Sequence, residues 1–329
     1  MRLWDILSAD GDVMSNMPEF MDLEDLTATV CTGRIRELIR VNEAMHERGL
    51  SQIADQVQRR GAKIIMLAGP SSSGKTTSAN RLATHLRVYG KTPVLISLDD
   101  YYIDRDKIAP GPDGTIDLEH INTIDTALFS EHTQRLINGE TVELPEFDFI
   151  TTRRKWSGKT LQLGTDSVII VEGLHALNPA LLPVGLDCDL IFKLYISPMT
   201  TLKLDASNSI TPSTLRLLRR TVRDHNTRGA SVQRTMSMWD SVRQGEKRWI
   251  FPFREGADMT FNSATLYELP VIRKYIYPLL QSVAPDESCY ARVSAVMKLL
   301  DYIPETDADD EIPPTSIIRE FIGGNSFFK

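Results

Sequence analysis

The sequence is poor in cysteine, and this scarcity limits the class of protein. The 329 residues include only Cys31, Cys188 and Cys289, which are odd in number, far apart and without a CxxC pair. A disulfide framework or a cysteine-based zinc site is therefore excluded, and a reducing compartment is favoured. We expect all three side chains to be buried and to act as small apolar groups.

The sequence also lacks long apolar runs. None approaches the roughly 18 consecutive apolar residues that indicate a membrane-spanning helix. The longest apolar stretches, 63–68 and 168–171, have the length of a β-strand. The first residues include Asp5 and Asp10 and lack the apolar core of a secretory signal peptide. These absences predict a cytoplasmic protein that does not bind membranes.

There is no excess of positive charge. The chain has 37 Lys and Arg against 44 Asp and Glu, a net charge of −7. Because a nucleic-acid backbone requires a basic surface, nucleic acid is not expected as a partner. The apolar fraction of 42% and the charged fraction of 25% are typical of a soluble globular protein. At about 150 residues per domain, the length predicts roughly two units, or one large domain with appendages.

Short apolar runs alternate with helical patterns along most of the chain. Strands are predicted at 63–68, 93–98, 168–171, 190–196 and 257–261. Helices are predicted at 75–89, 125–137, 214–226, 235–246, 266–280 and 291–300. Buried strands that alternate with helices predict an α/β fold with a doubly wound parallel sheet.

This pattern divides the chain into an N-terminal helical appendage, a main α/β domain and a C-terminal helix with its tail, at 1–62, 63–283 and 284–329. Inside the main domain, alternation over 141–163 predicts a hairpin flap with Gly158 in its turn. The acidic stretch 305–311, which precedes two prolines, is predicted to be a solvated loop or linker.

The strongest motif is GPSSSGKT at residues 69–76, which matches the P-loop pattern G-x-x-x-x-G-K-[ST]. Its glycines let the backbone curl so that successive N–H groups point at phosphate oxygens. Lys75 would place a positive charge between the outer phosphates, and the Thr76 hydroxyl is a hard oxygen ligand for Mg²⁺. The motif follows a predicted strand and begins a predicted helix, as this mechanism requires. It therefore predicts a nucleoside triphosphate site.

Acidic residues occur where two neighbouring strands are predicted to end. Asp99 and Asp100 follow the strand at 93–98, and Glu172 follows the strand at 168–171. In such sheets, ligands collect at the carboxyl ends of the strands. We expect these carboxylates on the metal and acceptor side of the triphosphate, although an ordinary strand-end turn is the alternative, above all for Asp100.

Arginines are concentrated in one segment, at positions 216, 219, 220, 223, 228 and 234. On a helix, the spacing of Arg216, Arg220 and Arg223 places them on one face. Beside a P-loop, such a cluster predicts a lid over about residues 211–234 that closes on the phosphates and excludes water. A solvated face, or pairing with the acidic tail, is the alternative.

GPSSSGKTT, ISLDDYY, VEGLHALN and RRTVRDHNTRG occur in this order. Together they resemble the uridine kinase/phosphoribulokinase family of P-loop kinases, over roughly residues 63–277. The resemblance is greatest to uridine kinase-like proteins with an additional N-terminal threonyl-tRNA-synthetase-like region, which this sequence does not contain. Residues 32–62 and the FIGGNSF ending are similar to the corresponding parts of such proteins.

The resemblance implies an α/β kinase that uses ATP and Mg²⁺ to phosphorylate a hydroxyl of a nucleoside-like or sugar-like molecule. Whether the protein forms a homo-oligomer stays open. The resemblance also implies that Asp99 and Lys75 are catalytic residues and that Asp99 is the general base. It implies a metal site of Thr76, Asp99 and Glu172. Nucleotide contacts are implied for Gly69, Ser71, Ser72, Ser73, Gly74, Lys75, Thr76, Thr77, Arg223 and Arg228. Acceptor contacts are implied for Tyr102, Glu119, Phe147, Thr152 and Arg220.

The sequence departs from the family where the base of the acceptor is recognised. Phe147, Thr152 and Met238 stand where the family has a Tyr, a His and a Gln, and Ala230 replaces a lid arginine. A site without these hydrogen-bonding groups should discriminate weakly between pyrimidines. Three hypotheses stay open: a uridine or nucleoside kinase, a kinase of a pentose, sugar phosphate or other polyol, and an ATP-binding regulator.

Overall fold

A parallel five-stranded sheet lies at the centre of the computed structural model, which describes residues 17–109, 117–182 and 186–327. The strands are β1 Phe20–Asp22, β2 Ile64–Ala68, β3 Thr92–Ser97, β4 Val142–Asp148, β5 Arg153–Leu161, β6 Ser167–Gly173, β7 Ile191–Ser197, β8 Thr201–Lys203, β9 Ser209–Ile210 and β10 Met259–Asn262. The helices are α1 Leu23–Cys31, α2 Ile35–Arg60, α3 Lys75–Val88, α4 Thr126–Ile137, α5 Pro212–Arg228, α6 Val232–Trp249, α7 Glu268–Gln281, α8 Tyr290–Leu300 and α9 Arg319–Ile322.

The central sheet has the strand order β3-β6-β2-β7-β10, and every neighbouring pair is parallel. The carboxyl ends of its strands therefore share one edge. In the register of β3 with β6, Ser97 lies opposite Glu172, so the residues that follow β3 come close to the end of β6. The predicted α/β class with a doubly wound parallel sheet is confirmed.

Helices cover both faces of this sheet. Residues Ile65 and Leu67 of β2 pack with α2 and α3 on one face. Ile64 and Met66 alternate to the other face, where they pack with α4 and the loop after β3. A third apolar cluster joins the start of α2 to α5, α6, α7 and α8. These clusters cross both predicted boundaries, at 62/63 and at 283/284.

Helix α2 is tied to the sheet by polar contacts as well as apolar ones. Arg81 of α3 is buried and pairs with Glu43 at 3.3 Å and Glu47 at 2.9 Å. A Cβ atom on Gly49 would lie 3.2 Å from the ring of Phe261 in β10, so helix and strand approach closely there. The helical character predicted for the N-terminal part is observed, and its second half shares a core with β2.

The hairpin flap is present as the antiparallel pair β4 and β5, but the prediction that Gly158 lies in its turn is wrong. The turn falls at 149–152, and Gly158 lies inside β5, where the register shifts opposite residues 143–145. Its φ of +75° suits a bulge, where the backbone needs a conformation that favours glycine.

The acidic stretch is not the solvated linker that its composition predicts. Glu311 pairs with Arg40 of α2 at 2.7 Å, and Asp309 accepts a hydrogen bond from Tyr275 of α7. Ala308 and Ile312 are buried on either side of these acids. The segment is ordered because its carboxylates face basic groups on the surface of two helices.

Two of the three expectations for cysteine burial are also wrong. Cys31 and Cys188 are exposed, and only Cys289 is buried; none of the three forms a disulfide. Cys31 is the last residue of α1, on the side that faces away from the core. Within the ranges described above, no helix combines the length and the apolar character needed to cross a bilayer.

Candidate active site

The P-loop connects β2 to α3 at the carboxyl edge of the sheet, as predicted. Ser72 has a φ of +59° and Gly74 a φ of +82°, so the backbone curls just before the helix begins. A Cβ atom on Gly69 would lie 2.0 Å from the carbonyl oxygen of Ile196 in β7. Only glycine fits there, because the loop passes directly against the next strand.

The loop presents donors that suit a phosphate chain. The hydroxyls of Ser72 and Ser73 are buried and have no hydrogen-bond partner among the described residues. Lys75 is buried beside them, and its Nζ donates to the carbonyl of Pro70 at 3.2 Å. Burial lowers the pKa of Lys75, while the charges of Glu172 and Asp99 oppose that shift. Unpartnered hydroxyls around a buried ammonium fit an anionic ligand such as a triphosphate.

Hard oxygen ligands meet next to the loop. Glu172, which lies inside β6 and not after it as predicted, accepts hydrogen bonds from Thr76 Oγ1 at 3.3 Å and from Ser97 Oγ at 2.9 Å. Burial, followed by the charge of Asp99, raises the pKa of Glu172 to about 7. A hydroxyl with two mutually repelling carboxylates fits Mg²⁺, which binds through one or two carboxylates plus phosphates and water. The described residues hold no group of three or more His, Cys, Asp and Glu side chains suited to a metal.

A cavity of about 390 Å³ opens between the P-loop, the flap and helices α5 and α6. It brings together most of the side chains for which the sequence predicts contact with acceptor or nucleotide. Its lining includes Ser71, Ser72, Lys75, Asp99, Tyr102, Glu119, Phe147, Thr152, Arg220, Arg223 and Arg228. Of the predicted loop residues, Gly69, Ser73, Gly74, Thr76 and Thr77 do not line this cavity and lie beneath or behind it.

One wall of the cavity is aromatic. The rings of Tyr102, Phe147 and Phe149 meet edge to face, with centroids 5.2–6.3 Å apart. The guanidinium of Arg228 lies 4.9 Å from the centroid of Phe149. Asp100 lies outside the cavity, and its Oδ1 accepts a hydrogen bond from the backbone N–H of Phe147 at 3.2 Å. Asp100 thus fixes the flap strand that carries this wall.

Glu119 lines the opposite side, close to helix α6. Its Oε2 is buried without a partner, and a Cβ on Gly245 would lie 2.3 Å from its own Cβ. Asp117 accepts hydrogen bonds from the Glu119 backbone N–H at 3.1 Å and from Trp249 Nε1 at 2.9 Å, which fixes the turn. Burial raises the pKa of Glu119 to about 7, and the charge of Arg220 opposes the shift. An unpartnered carboxylate at this position can accept hydrogen bonds from ligand hydroxyls.

Arg216 lies on the same helical face as Arg220, as their spacing predicts, and its Nη1 donates to the carbonyl of Ser71 at 3.0 Å. Arg216 and Arg219 are fully buried and form ion pairs with Glu246 and Glu268, both at 2.5 Å. Arg220, Arg223 and Arg228 reach the cavity from α5, where they surround Asp224, and Arg234 of α6 also lines it. Arg220 also donates to Ser71 Oγ at 3.0 Å. The acidic tail pairs with α2 and α7 rather than with these arginines.

Several residues of the site carry no sequence signal. Glu246 accepts a hydrogen bond from the backbone N–H of Ser71 at 3.1 Å, and Ser263 Oγ donates to the carbonyl of Ser73 at 2.6 Å. Glu320 accepts a hydrogen bond from the Thr77 hydroxyl at 2.7 Å. These partners lie 175, 190 and 243 residues away along the chain, where no local pattern points to the loop.

We expect Glu119→Gln to stabilise the protein at pH 8 by about 1 kcal/mol, or roughly 2 °C in Tm, and to have little effect at pH 5. Because its pKa is raised to about 7, Glu119 binds more protons in the folded state than in the unfolded state between its unfolded pKa and pH 7. Its contribution to stability therefore falls as pH rises through that window. Thermal unfolding at both pH values measures this. Glu255→Gln, at an exposed position, is the control, and an equal shift in both variants would contradict the assignment.

Comparisons with known proteins show which family the chain belongs to. Residues 64–269 match the Phosphoribulokinase / Uridine kinase family. A uridine kinase of Staphylococcus haemolyticus is 31% identical over 197 residues, which cover 60% of this chain and 85% of the relative. A uridine kinase of Staphylococcus aureus strain JH9 is 31% identical over 201 residues, which cover 61% of this chain and 87% of the relative. A solved D-glycerate 3-kinase from Cryptococcus neoformans aligns with a TM-score of 0.43 at 18% identity, over 65% of this chain and 90% of that one. The chain belongs to the phosphoribulokinase/uridine kinase family.

Proposed function

We propose that the protein is a small-molecule kinase that uses ATP and Mg²⁺ to phosphorylate a hydroxyl of a polyhydroxylated acceptor. The observation that carries the proposal is the shared cavity, in which Lys75 and Asp99 of the nucleotide side face Glu119 and Tyr102 of the acceptor side. Family membership supports phosphoryl transfer as the reaction class. Phosphoryl transfer depends mainly on positioning and on charge stabilisation, and this cavity supplies both.

The P-loop residues hold the nucleotide. The backbone N–H groups and the free Ser72 and Ser73 hydroxyls donate to phosphate oxygens, and Lys75 neutralises charge at the outer phosphates. Thr76 and Glu172, with Asp99, would hold Mg²⁺, which supplies neutralisation of the charge that builds up on the phosphates. Arg223 and Arg228 add positive charge from helix α5 on the open side of the cavity.

Asp99 is the proposed general base. It follows β3 in a one-turn 3₁₀ helix, and its backbone N–H donates to Ser97 Oγ at 3.3 Å. It accepts the proton of the acceptor hydroxyl while that oxygen bonds to the terminal phosphorus and the bond from phosphorus to the leaving phosphate oxygen breaks. Glu119 orients further acceptor hydroxyls, and the aromatic wall excludes water.

The acceptor side of the cavity favours a sugar-like molecule over a pyrimidine nucleoside. Phe147 and Met238 both line the cavity, and neither side chain has a strong hydrogen-bonding group for a base. Arg105 and Arg234 also line the cavity, and neither forms an ion pair with any of the described residues. Their uncompensated charge supports a second candidate, an acceptor that carries an acidic group, such as a sugar phosphate.

A panel assay tests the proposal. The protein is incubated with MgATP and uridine, cytidine, ribose, pentose phosphates and small polyols, and the products are analysed for the mass of an added phosphoryl group. We expect transfer to one sugar-like compound and weaker transfer to the two nucleosides. Tight MgATP binding without a phosphorylated product from any class would instead favour an ATP-binding regulator.

A further inference from the structure

The C-terminal segment, residues 313–327, packs directly against the P-loop helix. Ile317 and Phe321 are buried in the same apolar cluster as Leu82 and Leu86 of α3. A Cβ on Gly74, the residue before α3, would lie 2.5 Å from Cγ2 of Ile317. The last part of the chain is therefore a neighbour of the nucleotide site.

One carboxylate of this segment binds the first turn of α3. Glu320 Oε2 accepts hydrogen bonds from the Thr77 backbone N–H at 3.2 Å and from Thr77 Oγ1 at 2.7 Å. Asn325 Nδ2 also donates to Thr77 Oγ1, at 3.2 Å. The Thr77 N–H is one of the first four of the helix, which have no partner inside the helix. These N–H groups are the donors that a P-loop helix offers to the phosphates nearest the nucleoside.

The donors of Thr77 are thus bound by Glu320, whereas two serine hydroxyls of the P-loop are bound by no described residue. The buried hydroxyls of Ser72 and Ser73 have no partner in the described part of the chain, as expected for a loop that awaits an anion. The Glu320 carboxylate already occupies the donors of Thr77 in the manner of an anion. Glu320 forms no direct ion pair with any residue that the structure describes, but its charge acts on the nearby ammonium of Lys75 and opposes the lowering of that group's pKa by burial.

We propose that Glu320 sets the nucleotide affinity of the kinase, because its carboxylate competes with a phosphate group for the N–H and hydroxyl of Thr77. The inference rests on the proposed function, since it concerns the same nucleotide site. A phosphate that reaches Thr77 must displace Glu320 or bind next to its charge, and either lowers affinity. The carboxylate thereby limits occupation of the loop by weakly bound anions.

The backbone around Glu320 is anchored on both sides, since Ile317 precedes it and Phe321 follows it in the buried cluster. Ser316 Oγ donates to Glu43 of α2 at 2.6 Å, and Arg319 Nη2 donates to the carbonyl of Ile312 at 2.9 Å. On the other side, Gly323 and Gly324 have φ values of +94° and +77°, which favour glycine. Because these anchors hold the backbone, release of the Glu320 side chain does not require the segment to unfold, and the glycine pair lets the residues beyond Ile322 move.

Calorimetric titration with MgATP, in the absence of any acceptor, tests this. We expect Glu320→Gln to bind MgATP about fivefold or more tightly than the natural protein, because glutamine keeps the length and an acceptor oxygen but removes the charge. Glu311→Gln is the matched control, since Glu311 belongs to the preceding acidic stretch but pairs with Arg36 and Arg40 on α2. It should leave the affinity unchanged. Equal or weaker binding by Glu320→Gln would overturn the proposal.

A measurement on the natural protein guards against a variant that does not fold. Hydrogen exchange of backbone amides in residues 316–327 is compared with and without MgATP. We expect faster exchange on binding, because Glu320 is displaced from Thr77; slower or unchanged exchange would show that the segment is a nucleotide ligand or an inert cover, and would overturn the proposal. Neither measurement uses an acceptor. If Glu320→Gln binds MgATP more tightly but the panel assay detects no phosphoryl transfer, the competition by Glu320 would stand and the proposed kinase activity would be rejected.

Discussion

Asp99→Asn is expected to retain MgATP binding and to lose about 10²–10⁴-fold in kcat, the usual effect of removing a general base. Asparagine has the same shape and still fits after β3, but its amide cannot accept the proton of the acceptor hydroxyl. Calorimetry measures binding, and single-turnover kinetics with the acceptor identified by the panel measures transfer. Turnover within about tenfold of the natural protein would show that another group accepts the proton.

Asp100→Asn is the matched control for this prediction. Asp100 is adjacent in sequence and also acidic, but it lies outside the cavity and holds the backbone N–H of Phe147 in the flap. An asparagine side chain can still accept that hydrogen bond through its oxygen. We therefore expect a change of less than about tenfold in kcat, with any effect mainly on KM for the acceptor. A loss equal to that of Asp99→Asn would contradict the separate roles of the two acids.

Glu268→Ala is expected to destabilise the protein by about 3–5 kcal/mol, the range for breaking a buried ion pair from one side. Glu268 and Arg219 are both fully buried, and their two hydrogen bonds measure 2.5 and 2.6 Å. Removal of the carboxylate leaves a guanidinium charge inside the helical core without a counter-charge. Arg219 also donates to the carbonyl of Ser263, whose hydroxyl supports Ser73 of the P-loop, so nucleotide affinity should fall as well.

Denaturant unfolding followed by circular dichroism measures this loss. The matched comparison is the double variant Arg219→Met with Glu268→Leu, which removes both charges and fills the space with apolar atoms. We expect it to recover much of the stability, because paired removal avoids an isolated buried charge. A loss below about 1 kcal/mol in Glu268→Ala would mean that water or another acid compensates Arg219.

Local patterns were sufficient to predict the frame of the site. A continuous apolar run followed by GPSSSGKT predicts the strand, the loop and the start of α3, and the structure confirms each of them. The positions of Asp99 and Glu172 near one another follow from the sheet itself, because parallel strands bring their carboxyl ends to one edge. What can be predicted in this way depends on residues that are close in sequence or on a rule of sheet topology.

The surroundings of the loop could not be predicted, because they depend on partners from distant helices. The spacing of Arg216, Arg220 and Arg223 predicts one helical face, but it does not predict that Arg216 is buried and paired with Glu246 on α6. Glu246 and Glu268 belong to helices without a motif, and nothing in their local sequence distinguishes them from exposed acids. The local pattern predicts a turn at Gly158, because glycine is common in turns, whereas the register of the two strands places it in a bulge.

The burial of the second half of helix α2 on the sheet sets a lower limit on the length of chain that can be expressed by itself. A polypeptide trimmed to the homologous span, 64–269, would lose Leu50, Ile53 and Val57 from one side and Ile317 and Phe321 from the other. Part of one face of the sheet would then be exposed, and an exposed apolar surface of this kind favours aggregation in water. The autonomous folding unit of this protein is therefore larger than the stretch it shares with its relatives.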